Sequence, residues 1–161
     1  MIKITIIAVG KLKEKYFIGA GEEYEKRLSR FCKLQIIEIE PEKLPDKPSD
    51  AQIEAAKTAE GKKILQKIPN DASVCALCIE GKLESSEALA EKIDREAAVG
   101  AGHRIYIIGG SYGLSDEVKR RADERMSMSP MTFPHKLARI MLLEQIYRAF
   151  MILGGGTYHK K

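Results

Sequence analysis

The chain has 161 residues, 44% of them hydrophobic and 31% charged, with a formal net charge of +4. That length predicts one domain, residues 1–161, with a single sizeable core, and the composition excludes a fibrous or disordered chain. No apolar stretch approaches the roughly 20 residues needed to cross a bilayer, which argues against a membrane partner.

The charge is unevenly placed. Residues 1–100 hold 17 Lys/Arg against 18 Asp/Glu, and residues 101–161 hold 10 against 5. A basic C-terminal segment suits an anionic partner such as nucleic acid, and equally suits a solvated surface. The opening Met1-Ile-Lys-Ile-Thr-Ile-Ile-Ala-Val-Gly lacks the layout of a signal peptide. Three cysteines without framework spacing point to a reducing cytoplasm.

Residues 2–9 read as a first strand. Over 14–31, Phe17, Ala20, Tyr24, Leu28 and Phe31 recur at helical spacing. A second strand spans 34–39, followed by a proline-rich polar connection at 41–48. Ser49-Asp-Ala-Gln is a capping box for a helix to about Lys67. A Pro69-Asn-Asp turn leads to a third strand at 73–79, and Glu80-Gly-Lys leads to a helix over 86–98. Gly100-Ala-Gly breaks that helix before a strand at 103–108. Ser115-Asp-Glu opens a helix ending near Glu124. A short strand at 126–129 precedes a long helix over 135–153, stopped by Gly154-Gly-Gly. Five strand–helix repeats predict an α/β fold: a mostly parallel sheet with helices on both faces. Such sheets bind ligands beyond the carboxyl ends of their strands.

Two loops stand out there. Gly109-Gly-Ser-Tyr-Gly joins strand to helix and lets backbone N–H groups approach a ligand, or is simply a glycine turn. It is neither Gly-x-Gly-x-x-Gly nor a P-loop, so neither NAD nor ATP is supported. Met128-Ser-Pro-Met-Thr-Phe is mostly uncharged, and Pro130 and Pro134 stiffen it. Its free carbonyls suit an adenine amine better than a phosphate, although a Met-lined piece of core is the plainer reading. His135 and Arg139 share a helix face, as do Glu144 and Arg148. The second pair is either an ordinary helix ion pair or a carboxylate holding an arginine ready for RNA phosphate. The last helix is apolar around much of its circumference, more than one sheet needs, which points to a second copy of the chain. Cys75-Ala-Leu-Cys lies inside a strand with its sulfurs on opposite faces, so both read as buried thiols. No histidine shows metal-ligand spacing, and no metal is predicted.

Ile107-Ile-Gly-Gly-Ser-Tyr-Gly-Leu-Ser, Ser127-Met-Ser-Pro-Met-Thr-Phe-Pro-His-Lys-Leu-Ala-Arg, Leu143-Glu-Gln-Ile-Tyr-Arg-Ala-Phe and the closing Tyr158-His-Lys resemble the RlmH (YbeA-type) branch of the SPOUT methyltransferases. So does Ile4-Thr-Ile-Ile-Ala-Val-Gly-Lys-Leu-Lys, and the resemblance covers the whole chain. It implies a C-terminal trefoil knot, a homodimer with its site at the interface, and S-adenosylmethionine as cofactor. It implies methylation at N3 of a pseudouridine in 23S ribosomal RNA of the assembled ribosome, with RNA rather than DNA as partner. Carried over, cofactor contacts fall at Leu77, Gly109, Met128, Ser129, Pro130, Met131, Thr132 and Phe133. His135 and Arg139 would meet the substrate. Tyr158 or His159 would take the N3 proton or orient the ring, and Arg148 or Arg139 would stabilise charge on a carbonyl. The glycine link at 154–156 suggests a tail that orders only on RNA. Two alternatives share the architecture: a non-catalytic, ribosome-associated S-adenosylmethionine-binding protein, and a small-molecule methyltransferase.

Overall fold

The computed structural model describes residues 1–100 and 102–160. Five strand–helix units follow one another: β1 (Lys3–Val9), α1 (Lys15–Leu28), β2 (Lys33–Ile39), α2 (Asp50–Leu65), β3 (Ser73–Leu83), α3 (Ser86–Ala97), β4 (His103–Ile108), α4 (Asp116–Arg121), β5 (Glu124–Ser127) and α5 (His135–Leu153). The strands form one sheet in the order β2-β1-β4-β3-β5, and every pairing is parallel.

Strand alternation builds two cores. Ile4, Ile6, Tyr106 and Ile108 face one side, where Leu28 of α1, Ile93 of α3 and Leu142 and Ile146 of α5 cover them. Ile7, Val9, Ile105 and Ile107 face the other, under Ile64 of α2 and Val118 of α4. A strand buried on both faces needs a continuous apolar run, which Ile6-Ile-Ala-Val of β1 and Ile105-Tyr-Ile-Ile of β4 supply. The capping box at Ser49 forms: its hydroxyl accepts from Gln52 N–H, and the Gln52 side chain accepts from Ser49 N–H.

The boundaries differ from expectation in four places. Helix α1 stops at Leu28, and the amides of Ser29, Phe31 and Cys32 turn back onto the last carbonyls. Strand β3 runs on to Leu83, past a bulge in which Leu77 and Lys82 both oppose Met126. Helix α4 ends at Arg121, and β5 begins at Glu124, earlier than the expected 126. A buried cation explains the early start: Arg104 is 4% exposed and pairs with the Glu124 carboxylate, while its Nε donates to Tyr106 Oη. The expected break at 100–102 contains Gly100, at φ +80°; Ala101 lies outside the described residues, as does Lys161.

Candidate active site

Strand β4 ends at Ile108 and the chain turns at once. Gly113 N–H donates to Gly110 O at 3.1 Å, and Gly113 sits at φ +83°. A Cβ on Gly109 would lie 2.7 Å from the Gly113 carbonyl carbon, so the turn closes too tightly for any side chain.

Strand β5 ends at Ser127, and hydroxyls brace the loop beyond it. Ser127 Oγ donates to Ser129 O at 2.9 Å, and Ser129 Oγ accepts from Met131 N–H at 3.0 Å. Pro130 and Pro134 remove two donors and fix two φ angles. The carbonyls of Met128, Pro130, Met131 and Thr132 accept no hydrogen bond from the described residues.

These loops meet β3 at its bulge. Leu77, Gly109, Met128, Ser129, Met131, Thr132, Phe133 and His135 line one cavity of about 160 Å³, which opens into a neighbouring space of about 780 Å³ beside Tyr112 and Lys119. Pro130 stiffens the loop without lining the cavity. The walls are largely apolar, with uncharged polar side chains at Ser129 and Thr132 and, among the described residues, no Lys or Arg, the chemistry of a nucleoside site rather than a phosphate site. Cys78 belongs to this wall too. It is half-buried, a correction to its expected burial, because the β3 bulge turns it toward the cavity; Cys75 is fully buried and burial pushes its thiol up to about 12. Both are free thiols.

His135 lines the cavity at the start of α5. Burial, reinforced by Lys136 and Arg139, holds its pKa below the ordinary value of 6.5, so the ring is neutral at neutral pH. Arg139, one turn on, is not at the cavity. It is 4% exposed, and its guanidinium donates to Glu38 Oε2 and Gly10 O, each at 2.8 Å. Its shared face with His135 is real, but the core-facing turn of α5 commits it to holding β1 and β2.

The tail residues form a separate cluster. Arg148 holds Glu144 with two hydrogen bonds, Nε–Oε1 at 2.9 Å and a second at 3.4 Å. Tyr158 Oη donates to Glu144 Oε2 at 2.7 Å, and Arg148 lies over the Tyr158 ring at 4.9 Å. Arg148 also reaches His159 Nδ1 at 3.2 Å, and Glu87 lies 2.9 Å from His159 Nε2. Arginine can only donate, so Nδ1 accepts and Nε2 carries the proton toward Glu87. Burial, with the bond to Glu144, pushes the Tyr158 phenol up to about 12, which makes it a donor at neutral pH. Through these contacts the tail packs against α5. The reason is the four-residue spacing of Glu144 and Arg148, which offers Tyr158 a carboxylate and a cation together. Arg148 stands 13 residues from His135, about 20 Å along α5. Between the cluster and the cavity lies a recess of about 250 Å³ that Glu144 shares with Ser127 and Met128. Glu87, 72 residues from its partner, carried no signal in the sequence.

Among the described residues no helix is long and apolar enough to cross a membrane, and no group of three or more His, Cys, Asp or Glu is arranged to hold a metal.

The sequence matches the family described as Predicted SPOUT methyltransferase over residues 2–159. Among similar proteins, Ribosomal RNA large subunit methyltransferase H of Bacillus pumilus (strain SAFR-032) is 51% identical over 159 residues, 99% of this chain and 100% of that protein. Proteins of the same name from Listeria monocytogenes serotype 4b (strain CLIP80459) and Clostridioides difficile (strain 630) are 48% and 52% identical over the same shares.

Proposed function

The chain belongs to the SPOUT methyltransferase family, and from that premise we propose that it transfers a methyl group from S-adenosylmethionine to N3 of a pseudouridine in 23S ribosomal RNA of the assembled ribosome. Full-length similarity to ribosomal RNA methyltransferases favours neither the non-catalytic nor the small-molecule alternative. The observation that carries the reading is the convergence of two loops with unpaired backbone groups on one apolar-walled cavity at the carboxyl edge of the sheet.

The residues present fit the cofactor. Met128, Met131 and Thr132 carry free carbonyls and line a largely apolar cavity, the pairing an adenine amine and ring require. When bound, the cofactor supplies an already activated methyl on a sulfonium. Leu77, Gly109, Met128, Ser129, Met131, Thr132 and Phe133 hold it, and Pro130 keeps their loop in shape. The enzyme's remaining tasks are alignment of N3 and removal of its proton; alignment alone supplies much of the acceleration. His135, neutral and on the cavity wall, orients the uracil ring. Tyr158 is a donor to an oxygen of the base, and Arg148 stabilises charge developing there. His159 is the proton acceptor once Arg148 turns from its Nδ1 toward substrate.

The distance between tail and cavity within one chain supports a homodimer in which one subunit's tail serves its partner's cavity. Tyr147, Phe150 and Met151 stay partly exposed on their own chain, and Phe31 stacks on Phe150 beside them. This surface is where the copies would meet. A single domain over residues 1–161, a knotted C-terminal part and a cytoplasmic location complete the proposal.

Methyl transfer to purified ribosomes by Tyr158→Phe and His159→Ala tests the roles of the tail. Both should lose at least tenfold in rate with unchanged cofactor affinity; unchanged transfer in both would remove the tail from the chemistry.

A further inference from the structure

The geometry points to a grip for the RNA strand that lies in the N-terminal half: we infer that Lys11, Lys13 and Lys15, in the β1–α1 connection, form a rim that binds the sugar-phosphate backbone of the RNA beside the cofactor cavity. The inference rests on the RNA reading above.

Strand β1 leaves the sheet next to the glycine turn. A Cβ on Gly110 would lie 3.3 Å from Val9 Cγ1. Gly10 follows at φ +99°, a conformation that favours glycine, and a Cβ there would lie 3.7 Å from His135 Nε2. The chain thus passes beside two residues of the cavity wall, Gly110 and His135, before starting α1. Leu12 points inward against Gly21, while Lys11, Lys13 and Lys15 on either side of it are exposed.

None of the three lysines forms an ion pair or side-chain hydrogen bond among the described residues. The acid between them is taken: Glu14 accepts from Lys136 Nζ at 3.3 and 3.4 Å. Three uncompensated cations therefore stand within five residues. They also sit where the sequence should avoid them. Helices α2, α3 and α4 carry acids in the first turn, whereas α1, like α5, has none and begins with Lys15 behind the N-cap Glu14, whose carboxylate is held by Lys136. Lysines at that end are repelled by the helix dipole and by one another, a local cost that a bound polyanion reverses.

The connection is stiff enough to aim them. Gly10 N–H donates to Ile39 O at 2.8 Å, and Arg139 donates to Gly10 O at 2.8 Å. This gives Arg139 its part in the reaction: it is a positioning residue beneath the rim rather than an RNA contact.

The test uses the full-length protein, purified ribosomes and S-adenosylmethionine. Ribosome affinity is measured across a salt series for the wild type, for Lys11→Gln/Lys13→Gln/Lys15→Gln, and for a charge-matched control, Lys47→Gln/Lys62→Gln/Lys67→Gln, two of whose sites flank or lie on α2 on the opposite face. Each phosphate contact contributes roughly 0.7–0.9 to the slope of log affinity against log salt. The rim variant should be shallower by about 2 to 3, so that a fourfold rise in salt costs the wild type roughly 20- to 40-fold more affinity than the variant. Cofactor affinity should stay the same and the control should keep the wild-type slope. Equal slopes in all three proteins, an equal loss in the control, or a loss of cofactor affinity in the rim variant would each overturn the rim. Salt-dependent ribosome binding without any methyl transfer by the wild type would instead sink the RNA methyltransferase reading and leave the rim standing.

Discussion

Replacing Arg139 by methionine is expected to destabilise the fold by about 3 kcal/mol. The guanidinium is buried and makes two hydrogen bonds of 2.8 Å, one to the Glu38 carboxylate and one to the Gly10 carbonyl. Hydrogen bonds involving a charged group contribute about 1.5–3 kcal/mol each. The Glu38 side chain is 35% exposed and regains water when its partner goes, which puts its share at the low end. The Gly10 carbonyl lies in a connection fixed on both sides and rehydrates less readily. Equilibrium unfolding in urea, at one fixed protomer concentration because an oligomer's stability depends on it, should show a midpoint lower by about 1.5 M if the slope is near 2 kcal/mol/M. Glu38→Gln/Arg139→Met should recover about 1 kcal/mol, since no uncompensated carboxylate remains. A single variant within about 0.5 kcal/mol of wild type would show that Arg139 does not hold β1 and β2 together, and would return it to the pool of RNA contacts.

Three further outcomes follow from the same geometry. The His135 ring resonance should titrate below 6.5; because its folded pKa is lowered, the unfolded chain takes up the proton first, so stability present at neutral pH should fall as pH drops below 6.5, and a resonance titrating at or above 6.5 would contradict the burial of the ring. An ultraviolet titration comparing wild type with Tyr158→Phe should show no phenolate from Tyr158 below about pH 11, and ionisation near 10 would show that the bond to Glu144 is not formed. Gly113→Ala meets open space but keeps φ at +83°, so it should cost about 1 kcal/mol and weaken S-adenosylmethionine binding by up to tenfold in calorimetry; an unchanged protein would mean that the turn is not held in that conformation.

Periodicity and punctuation made the fold legible. Each strand was visible as an apolar run, α1 by its helical spacing, and α2 and α4 by their caps, because Ser49 and Ser115 act within four residues of themselves. The cavity was legible for the same reason: its walls are two short continuous loops, each marked by glycine or proline. Long-range pairing was not legible. The start of β5 is set by Arg104 across the sheet, the β3 bulge by register with Met126, and the tail's fold by Glu144, Arg148 and Glu87. Summed charge also concealed the lysine rim. Residues 1–100 carry a small net negative charge, and the three cations that matter lie within five positions of one loop.

The most direct test incubates the purified protein with ribosomes from cells lacking the gene and S-adenosylmethionine, then reads the 23S ribosomal RNA by mass spectrometry. One added methyl on a single pseudouridine, at N3 and dependent on both protein and cofactor, is the predicted result. Ribosomal RNA that stays unmethylated under conditions where the protein binds both cofactor and ribosome would contradict it.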